Sequence, residues 1–384
     1  MTIPIIKENE IKTAIDNAVE ILQKDLPVFI TKFKPAVSEN NVYPPGENDD
    51  WTQGFHTGQF WLAWELSGRD AFKEAAHAHV ESFRQRIIDR VVVDHHDMGF
   101  LYTLSCIAAW RLTGSEAGAK AAIMAADNLI TRFHKIGGFI QAWGKLGAPD
   151  NYRLIIDCLM NLPLLYWATE HTGDPKYREI AEIHENTSLN NLVRPDFSTY
   201  HTYFFNQETG APLKGVTAQG YRDSSPWARG QAWGIYGLAL SYYYTQNPRC
   251  IELFYPVTDF FVSRLPQDMV SYWDLDFGDD DGEPRDSSAA AIAACGMLEM
   301  AKYLPAGKAE HYTAIAKQIA GSLAREYAVT PGEGSNGLLK HGVYAKASPH
   351  NTVNDSGVDE CNIWGDYFWL ELLVRLSGDW KMYW

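Results

Sequence analysis

The sequence repeats one helical pattern six times along its 384 residues. Each copy opens with a polar or aromatic cluster, continues as a nearly uniformly apolar helix, and turns into an amphipathic helix. A helix that is apolar all round is buried all round, whereas an amphipathic helix keeps one face in water. The pattern therefore predicts six inner and six outer helices. The six copies begin at Asp50-Trp51-Thr52-Gln53-Gly54, Asp97-Met98-Gly99-Phe100, Asp157-Cys158-Leu159-Met160, Trp227-Ala228-Arg229-Gly230, Asp286-Ser287-Ser288-Ala289 and Trp364-Gly365-Asp366-Tyr367.

Successive copies start roughly 45 to 80 residues apart, which is enough for two helices and their loops. We therefore expect an all-α fold, an (α/α)6 barrel that spans residues 1–384 as a single domain. No Pro/Ser-rich linker or low-complexity tract divides the chain. Short extended elements are expected in the loops at 137–143 and 200–204. The alternative is an open α-solenoid, which does not usually place Asp, Trp and His at the start of every inner helix.

Composition narrows the classes of function. The net charge of −15 argues against nucleic acid, whose phosphates are bound by Lys and Arg. The five cysteines are odd in number, scattered and set in apolar segments, which is typical of buried thiols in a reducing compartment. No apolar run approaches the length of a membrane helix, and the sequence shows no signal-peptide pattern. We therefore expect a cytoplasmic protein that contacts no membrane.

The inner helices of a toroid all begin at one mouth, so their first residues converge on one cavity. Asp157 follows Arg153-Leu154-Ile155-Ile156 and precedes another apolar run. Burial raises the pKa of a carboxyl group, which is how an enzyme keeps an acid protonated near neutral pH. The alternative is a helix-capping or core-paired aspartate. With Asp97 on the neighbouring inner helix, a pair of catalytic carboxyl groups is plausible.

Asp94-His95-His96-Asp97 is the densest cluster of titratable residues. Adjacent residues do not share a helix face, and no HExxH motif or downstream ligand pair is present. We therefore predict no metal, although N-capping by an aspartate does not explain two histidines. Arg229 is a candidate clamp for a substrate carboxylate in an otherwise acidic chain. Trp51, Trp143 and Trp233 are candidate sugar-stacking surfaces, and His201 is a further candidate, although a single histidine is usually structural.

The motifs together resemble the unsaturated glucuronyl hydrolases of glycoside hydrolase family 88. The resemblance runs in order from about Trp51 to the C-terminus. It rests on Asp94-His95-His96-Asp97-Met98-Gly99-Phe100, Gln141-Ala142-Trp143-Gly144, Ile155-Ile156-Asp157-Cys158, Trp227-Ala228-Arg229-Gly230-Gln231-Ala232-Trp233-Gly234, Arg285-Asp286-Ser287-Ser288 and Ile363-Trp364-Gly365-Asp366-Tyr367.

The resemblance implies a catalytic (α/α)6 barrel without cofactor or metal. It implies substrates that are disaccharides or short oligosaccharides from polysaccharide lyases, ending in a uronate with a C4=C5 double bond. Asp157 resembles the acid and base of the hydration reaction, and Asp97 the second essential carboxylate. His201, Gln219 and Arg229 resemble residues around the uronate. Residues resembling the pocket walls are His96, Trp51, Trp143 and Trp233.

One stretch departs from the family pattern. Some members that favour 6-O-sulfated aminosugars carry Ser-x-x-Ser-x-Lys before the last inner helix. Here the stretch reads Ala345-Lys346-Ala347-Ser348-Pro349-His350, without the first Ser and the Lys. We therefore expect an unsulfated or differently sulfated glycosaminoglycan substrate. The sequence does not indicate the aglycone or the oligomeric state.

Three other functions stay open at this point. An unsaturated rhamnogalacturonyl hydrolase shares the toroid and the hydration chemistry. An N-acylglucosamine 2-epimerase-like isomerase would use paired histidines and release no sugar. A non-catalytic carbohydrate-binding toroid would bind sugar without turnover.

Overall fold

The chain forms a ring of helices in which the first and last inner helices are neighbours. The computed structural model describes residues 3–384. In chain order the helices are α1 Glu8–Phe29, α2 Gln53–Ser67, α3 Asp70–Asp89, α4 Met98–Tyr102, α5 Ala108–Thr113, α6 Glu116–Ile130, α7 Cys158–Asn161, α8 Pro163–Thr172, α9 Lys176–Asn191, α10 Ala228–Thr245, α11 Pro248–Ser263, α12 Ser287–Ala301, α13 Ala306–Ser322 and α14 Ile363–Ser377.

The inner layer consists of α2, α4 with α5, α7 with α8, α10, α12 and α14, and the other helices surround it. Two inner members are interrupted. A π-helical turn, Thr103–Ile107, joins α4 to α5, and Pro163 begins α8 directly after the short α7. Proline has no N–H to donate to the preceding turn, so one helix ends and a new helix begins at that point. The ring closes where α14 packs against α2 on one side and α12 on the other.

The six predicted helix starts are confirmed. The residues that precede the inner helices are Thr52, Asp97, Asp157, Trp227, Asp286 and Asn362. The predicted turns are also confirmed, since Gly68, Gly114 and Gly173 end their helices in the left-handed conformation. These observations, together with the solved structures compared below, establish the (α/α)6 barrel.

Short antiparallel strands decorate the loops. They are β1 Phe133–His134, β2 Phe139–Ile140, β3 Arg153–Ile155, β4 Thr202–Phe205, β5 Pro212–Val216, β6 Gly342–Ala345 and β7 Ser356–Glu360. β1 pairs with β2, β3 with β4 and β4 with β5, and β6 with β7. The predicted segment 137–143 thus contains β2, and the predicted segment 200–204 overlaps β4, which ends one residue later. The β3-β4-β5 sheet carries the chain into α7.

Glycine lets the inner helices approach closely beneath the mouth. A Cβ atom on Gly54 of α2 would lie 2.0 Å from the carbonyl oxygen of Phe100, and one on Gly99 of α4 would lie 2.3 Å from Cα of Asn161. Only a residue without a Cβ atom fits such contacts. Gly99 therefore sets how closely α4 can approach α7, the two helices that follow Asp97 and Asp157.

Nearly all of the buried apolar residues form one cluster that runs from Ile6 to Trp384. The single-domain prediction agrees with this cluster but stays a prediction. All five cysteines are buried and free, as their apolar surroundings predicted. No helix within residues 3–384 is long and apolar enough to cross a membrane.

The ring is filled below its mouth by an aromatic floor, which we define as Phe100, Phe368 and Trp384. The Trp384 ring lies parallel to Phe368 with centroids 6.0 Å apart and makes an edge contact with Phe100 at 6.2 Å. Its Nε1 atom donates to Glu371 at 2.8 Å. Both phenylalanines contact Trp233 above them. The lumen is thus a pocket rather than a channel at this level.

Candidate active site

One cavity at the mouth contains every site residue that the sequence predicted. Its volume is about 420 Å³, which suits a small saccharide. The predicted residues that line it are Trp51, His96, Asp97, Trp143, Asp157, His201, Gln219, Arg229 and Trp233. They come from at least five separate segments of the chain, so the convergence is a property of the closed ring.

Asp97 and Asp157 occupy the positions immediately before α4 and α7, but neither side chain caps its helix. Asp286, which precedes α12, does accept the backbone N–H of Ser288 in the usual capping way. The capping alternative is therefore wrong for the two pocket aspartates, whereas Asp286 is a helix cap. Their side chains are 12% and 16% exposed, so both are largely withdrawn from water and free to face a ligand.

His96 lies between the two carboxyl groups. Its Nε2 atom is 3.3 Å from Oδ1 of Asp97 and 3.4 Å from Oδ1 of Asp157. Neither contact is aligned as a hydrogen bond. Burial lowers the pKa of His96 to about 4, against the opposing effect of Asp97, so the imidazole is neutral near pH 7.

The two carboxyl groups differ in their surroundings. Burial and the charge of Asp97 raise the pKa of Asp157 well above its usual value. Burial also acts to raise the pKa of Asp97, but His96 and the hydrogen bond from His95 outweigh it and bring that pKa below its usual value. Nδ1 of His95 lies 3.1 Å from Oδ2 of Asp97. Since like charges at close range push two pKa values apart, a proton shared by the pair binds Asp157 in preference to Asp97.

Hydrogen bonds fix the tautomer of His201. Its Nδ1 atom accepts the backbone N–H groups of Ala218 at 2.9 Å and Gln219 at 3.1 Å. Burial, followed by the charges of Arg229 and Arg153, lowers the pKa of His201 to about 3. A neutral imidazole that accepts at Nδ1 carries its proton on Nε2. His201 is therefore a neutral donor beside the cavity.

Arg229 is held by the protein from several sides. It pairs with Asp286 at 3.2 Å, and it also donates to the carbonyl oxygens of Val343 and Tyr344. It donates to Oε1 of Gln219 at 2.7 Å as well. Most of its N–H groups are thus occupied, so its charge acts on a ligand mainly through the field. Because the amide oxygen of Gln219 is taken, its NH₂ group is the end left for a ligand.

Aromatic rings form the cavity walls. Trp51 stacks on Trp364 with centroids 5.4 Å apart, and its Nε1 atom donates to the Tyr344 hydroxyl at 3.1 Å. Trp143 is packed against the guanidinium of Arg153, whose Cζ lies 4.4 Å from the ring centroid. Sugar rings present C–H faces that such walls can cover, so the walls fit a saccharide.

Three atoms of the site have the spacing of metal ligands. One atom each from His96, Asp97 and Asp157 lies within 4.8 Å of the others. A divalent cation prefers ionised carboxylates. The raised pKa of Asp157 works against that donor set, and the predicted absence of a metal stays a prediction.

Four further residues line the cavity that the sequence analysis did not select: Ala218, Trp227, Tyr344 and Val353. Trp227 had a usable signal, because it precedes α10 as Asp97 and Asp157 precede α4 and α7. Tyr344 lies in β6 and Val353 in the loop that follows, and neither belongs to a recognisable motif. Their place depends on how the β6–β7 hairpin folds over the mouth.

A ring of inner helices whose mouth holds two carboxyl groups, one with a raised and one with a lowered pKa, between aromatic walls, defines an (α/α)6-barrel glycosidase. Residues 28–352 match Glycosyl Hydrolase Family 88. The chain belongs to this family, which confirms the resemblance drawn from its motifs.

Known relatives match along almost the whole chain. The unsaturated chondroitin disaccharide hydrolase of Streptococcus pneumoniae is 48% identical over 389 residues, covering 100% of this chain and 96% of the relative. The crystal structure of unsaturated glucuronyl hydrolase from Streptococcus agalactiae matches with a TM-score of 0.95 at 48% identity, covering 99% of this chain and 95% of that one. A variant of that enzyme complexed with dGlcA-GalNAc6S matches with a TM-score of 0.87 at 44% identity, with the same coverage.

Proposed function

We propose that this glycosidase releases the unsaturated (4,5-dehydro) glucuronic acid from the non-reducing end of glycosaminoglycan-type oligosaccharides made by lyases. The observation that carries the proposal is the division of the carboxyl pair around His96. Burial and the charge of Asp97 raise the pKa of Asp157, which favours its protonated form, and its Oδ1 atom has no hydrogen-bond partner among residues 3–384. An enol ether needs such an acid, because its slow step is protonation at carbon.

The uronate carboxylate fits the opposite side of the cavity. The Nε2–H group of His201 and the NH₂ group of Gln219 offer two donors, and Arg229 adds a positive field close to both. Hydrogen bonds to a charged group contribute about 1.5–3 kcal/mol each. This side of the cavity meets the requirement that a chain with net charge −15 supply a local site for an anion.

In the proposed reaction Asp157 gives its proton to C4 of the sugar, and positive charge develops at C5 and the ring oxygen. The Asp157 carboxylate then takes a proton from a water molecule while the oxygen of that water bonds to C5, which forms a hemiketal. The hemiketal opens to a C5 ketone, and the resulting hemiacetal at C1 expels the aglycone with a proton. One water is consumed for each aglycone released. The negative charge of Asp97 favours the protonated form of Asp157 and stabilises the cationic transition state.

The test follows the conjugated C4=C5 chromophore. The protein is incubated with lyase-generated disaccharides from chondroitin, hyaluronan, heparin and pectin, and the loss of ultraviolet absorbance is recorded. We expect loss with at least one glycosaminoglycan disaccharide. Removal of a general acid costs about 10²- to 10⁴-fold, so Asp157→Asn should lose activity by that factor and still bind the disaccharide.

Other outcomes separate the rival functions. Turnover of the pectic disaccharide alone would favour a rhamnogalacturonyl hydrolase. Binding without turnover by well-folded wild-type protein would favour a carbohydrate-binding toroid. No binding and no turnover on any of the four disaccharides would refute the proposal and direct attention to isomerase assays.

A further inference from the structure

Arg153 is a partly buried cation beside the cavity that lacks an acidic partner. It begins β3, and its guanidinium lies between two rings, with Cζ 4.4 Å from the centroid of Trp143 and 5.1 Å from that of Phe204. It forms none of the ion pairs found within residues 3–384, and Asp150 acts on it only through its charge. Its one side-chain hydrogen bond is to Oδ1 of Asn151 at 3.5 Å, and its buried Nε atom has no partner.

The other arginines and lysines that the fold buries are satisfied. Lys34, Arg229 and Arg375 each pair with a carboxylate. Arg86 and Arg194 donate to several carbonyl oxygens instead. A cation withdrawn from water without such partners is destabilising. Arg153 is therefore the exception, and a bound anion would supply the partner that it lacks.

Arg153 lies close enough to the cavity to act on a bound substrate. The ring that it packs against, Trp143, lines the cavity. The charge of Arg153 also contributes to the lowered pKa values of His96 and His201, so its field reaches the cavity. Arg229 is the only arginine or lysine among the lining residues, and most of its N–H groups are occupied. Arg153 is thus the cation whose unoccupied N–H groups could bind a second anionic group on the ligand.

We propose that Arg153 is a specificity-determining residue that binds a sulfate ester on the sugar packed against Trp143. The proposal rests on the proposed function and extends it to the class of substrate. A guanidinium presents parallel N–H groups that match two oxygens of one oxyanion. Because the two rings already hold the guanidinium in place, binding costs little side-chain entropy.

The experiment compares pairs of unsaturated disaccharides that differ by one sulfate, with each sulfate position in turn. Arg153→Gln should lower kcat/KM by roughly tenfold or more for one sulfated member and by less than about threefold for its unsulfated partner. Arg153→Lys keeps the charge and the packing on Trp143, so it should recover part of the loss. Arg264→Gln is the matched control, since Arg264 is exposed and packs on Phe260 without an ion pair.

Inorganic sulfate is an independent probe. It should compete with an unsulfated disaccharide more strongly than chloride at equal ionic strength, and Arg153→Gln should remove the difference. An equal loss on sulfated and unsulfated members would overturn the proposal and leave Arg153 as a support for Trp143. If wild type consumes no unsaturated disaccharide, the proposed function fails. Sulfate quenching of tryptophan fluorescence in wild type and in Arg153→Gln then decides the Arg153 proposal, and equal quenching in both refutes it.

Discussion

Asp97 and Asp157 both approach one nitrogen of a neutral imidazole, since His96 Nε2 lies 3.3 Å from Oδ1 of the first and 3.4 Å from Oδ1 of the second. One oxygen of each carboxyl group lies within 4.8 Å of the other, so the two groups are close enough for Asp97 to raise the pKa of Asp157. The two aspartates, although chemically identical, therefore have pKa values shifted in opposite directions.

The pH profile should have its alkaline limb set by Asp157. Activity needs protonated Asp157, so kcat/KM falls as pH rises through the raised pKa of that group. Asp97→Asn removes the charge that helps raise it, so the limb should move to lower pH while the rate also falls. The profile is measured by chromophore loss, with exposed Asp280→Asn as the control. An unmoved limb in Asp97→Asn would show that the carboxyl groups do not interact.

The same raised pKa should make Asp157 destabilising at neutral pH. The pKa of Asp157 is higher in the folded protein than in the unfolded chain, so the native state loses stability as pH rises above the unfolded value. Asp157→Asn does not titrate and should raise Tm by a few degrees at pH 7. The gain should vanish below the ordinary carboxyl pKa. Thermal unfolding at several pH values tests this, and an equal Tm difference at all of them would contradict it.

Replacing Gln219 with alanine should impair substrate binding less than replacing it with glutamate. Gln219→Ala removes one donor and should raise KM about tenfold or more. Gln219→Glu also places a carboxylate beside the substrate's own, so KM should rise further. Gln267→Glu, at an exposed position, makes the same change in net charge away from the cavity. Equal KM values for the two Gln219 variants would show that this amide does not face the uronate.

Gly99 should be required for the approach of α4 and α7. Gly99→Ala places a methyl group 2.3 Å from Cα of Asn161, and overpacking of this kind typically costs about 1–3 kcal/mol. Gly307→Ala in α13 is the matched control, because its Cβ atom would meet nothing within 4 Å. Denaturant unfolding of both variants measures the difference, and equal stability would argue that the helices separate easily.

Chelation should leave activity intact. The raised pKa of Asp157 makes it a poor metal ligand, so dialysis against a chelator should not reduce chromophore loss. Added zinc should inhibit if it binds His96, Asp97 and Asp157. Recovery of a lost activity by a particular divalent cation would instead make His96, Asp97 and Asp157 a metal centre.

The fold was predictable because its signal is periodic. Six starts such as Asp97 and Trp227 mark the inner helices, and each start also marks the mouth. Pairwise relationships were not predictable in the same way. The orientation of His201 depends on two backbone N–H groups 17 and 18 residues further along the chain. The N–H groups of Arg229 are bound by carbonyl groups more than 100 residues away in sequence. Tyr344 and Val353 reach the cavity through a hairpin that no helical periodicity describes.

The contact between Trp51 and Trp364 has a consequence for biosynthesis. One wall of the cavity precedes the first inner helix, while the ring that supports it belongs to the last, 313 positions later. A growing chain therefore presents its sugar-binding wall unsupported until almost all of the barrel has been translated. Contacts between residues so far apart in sequence form slowly, so catalytic competence should be among the last properties that a newly made molecule acquires.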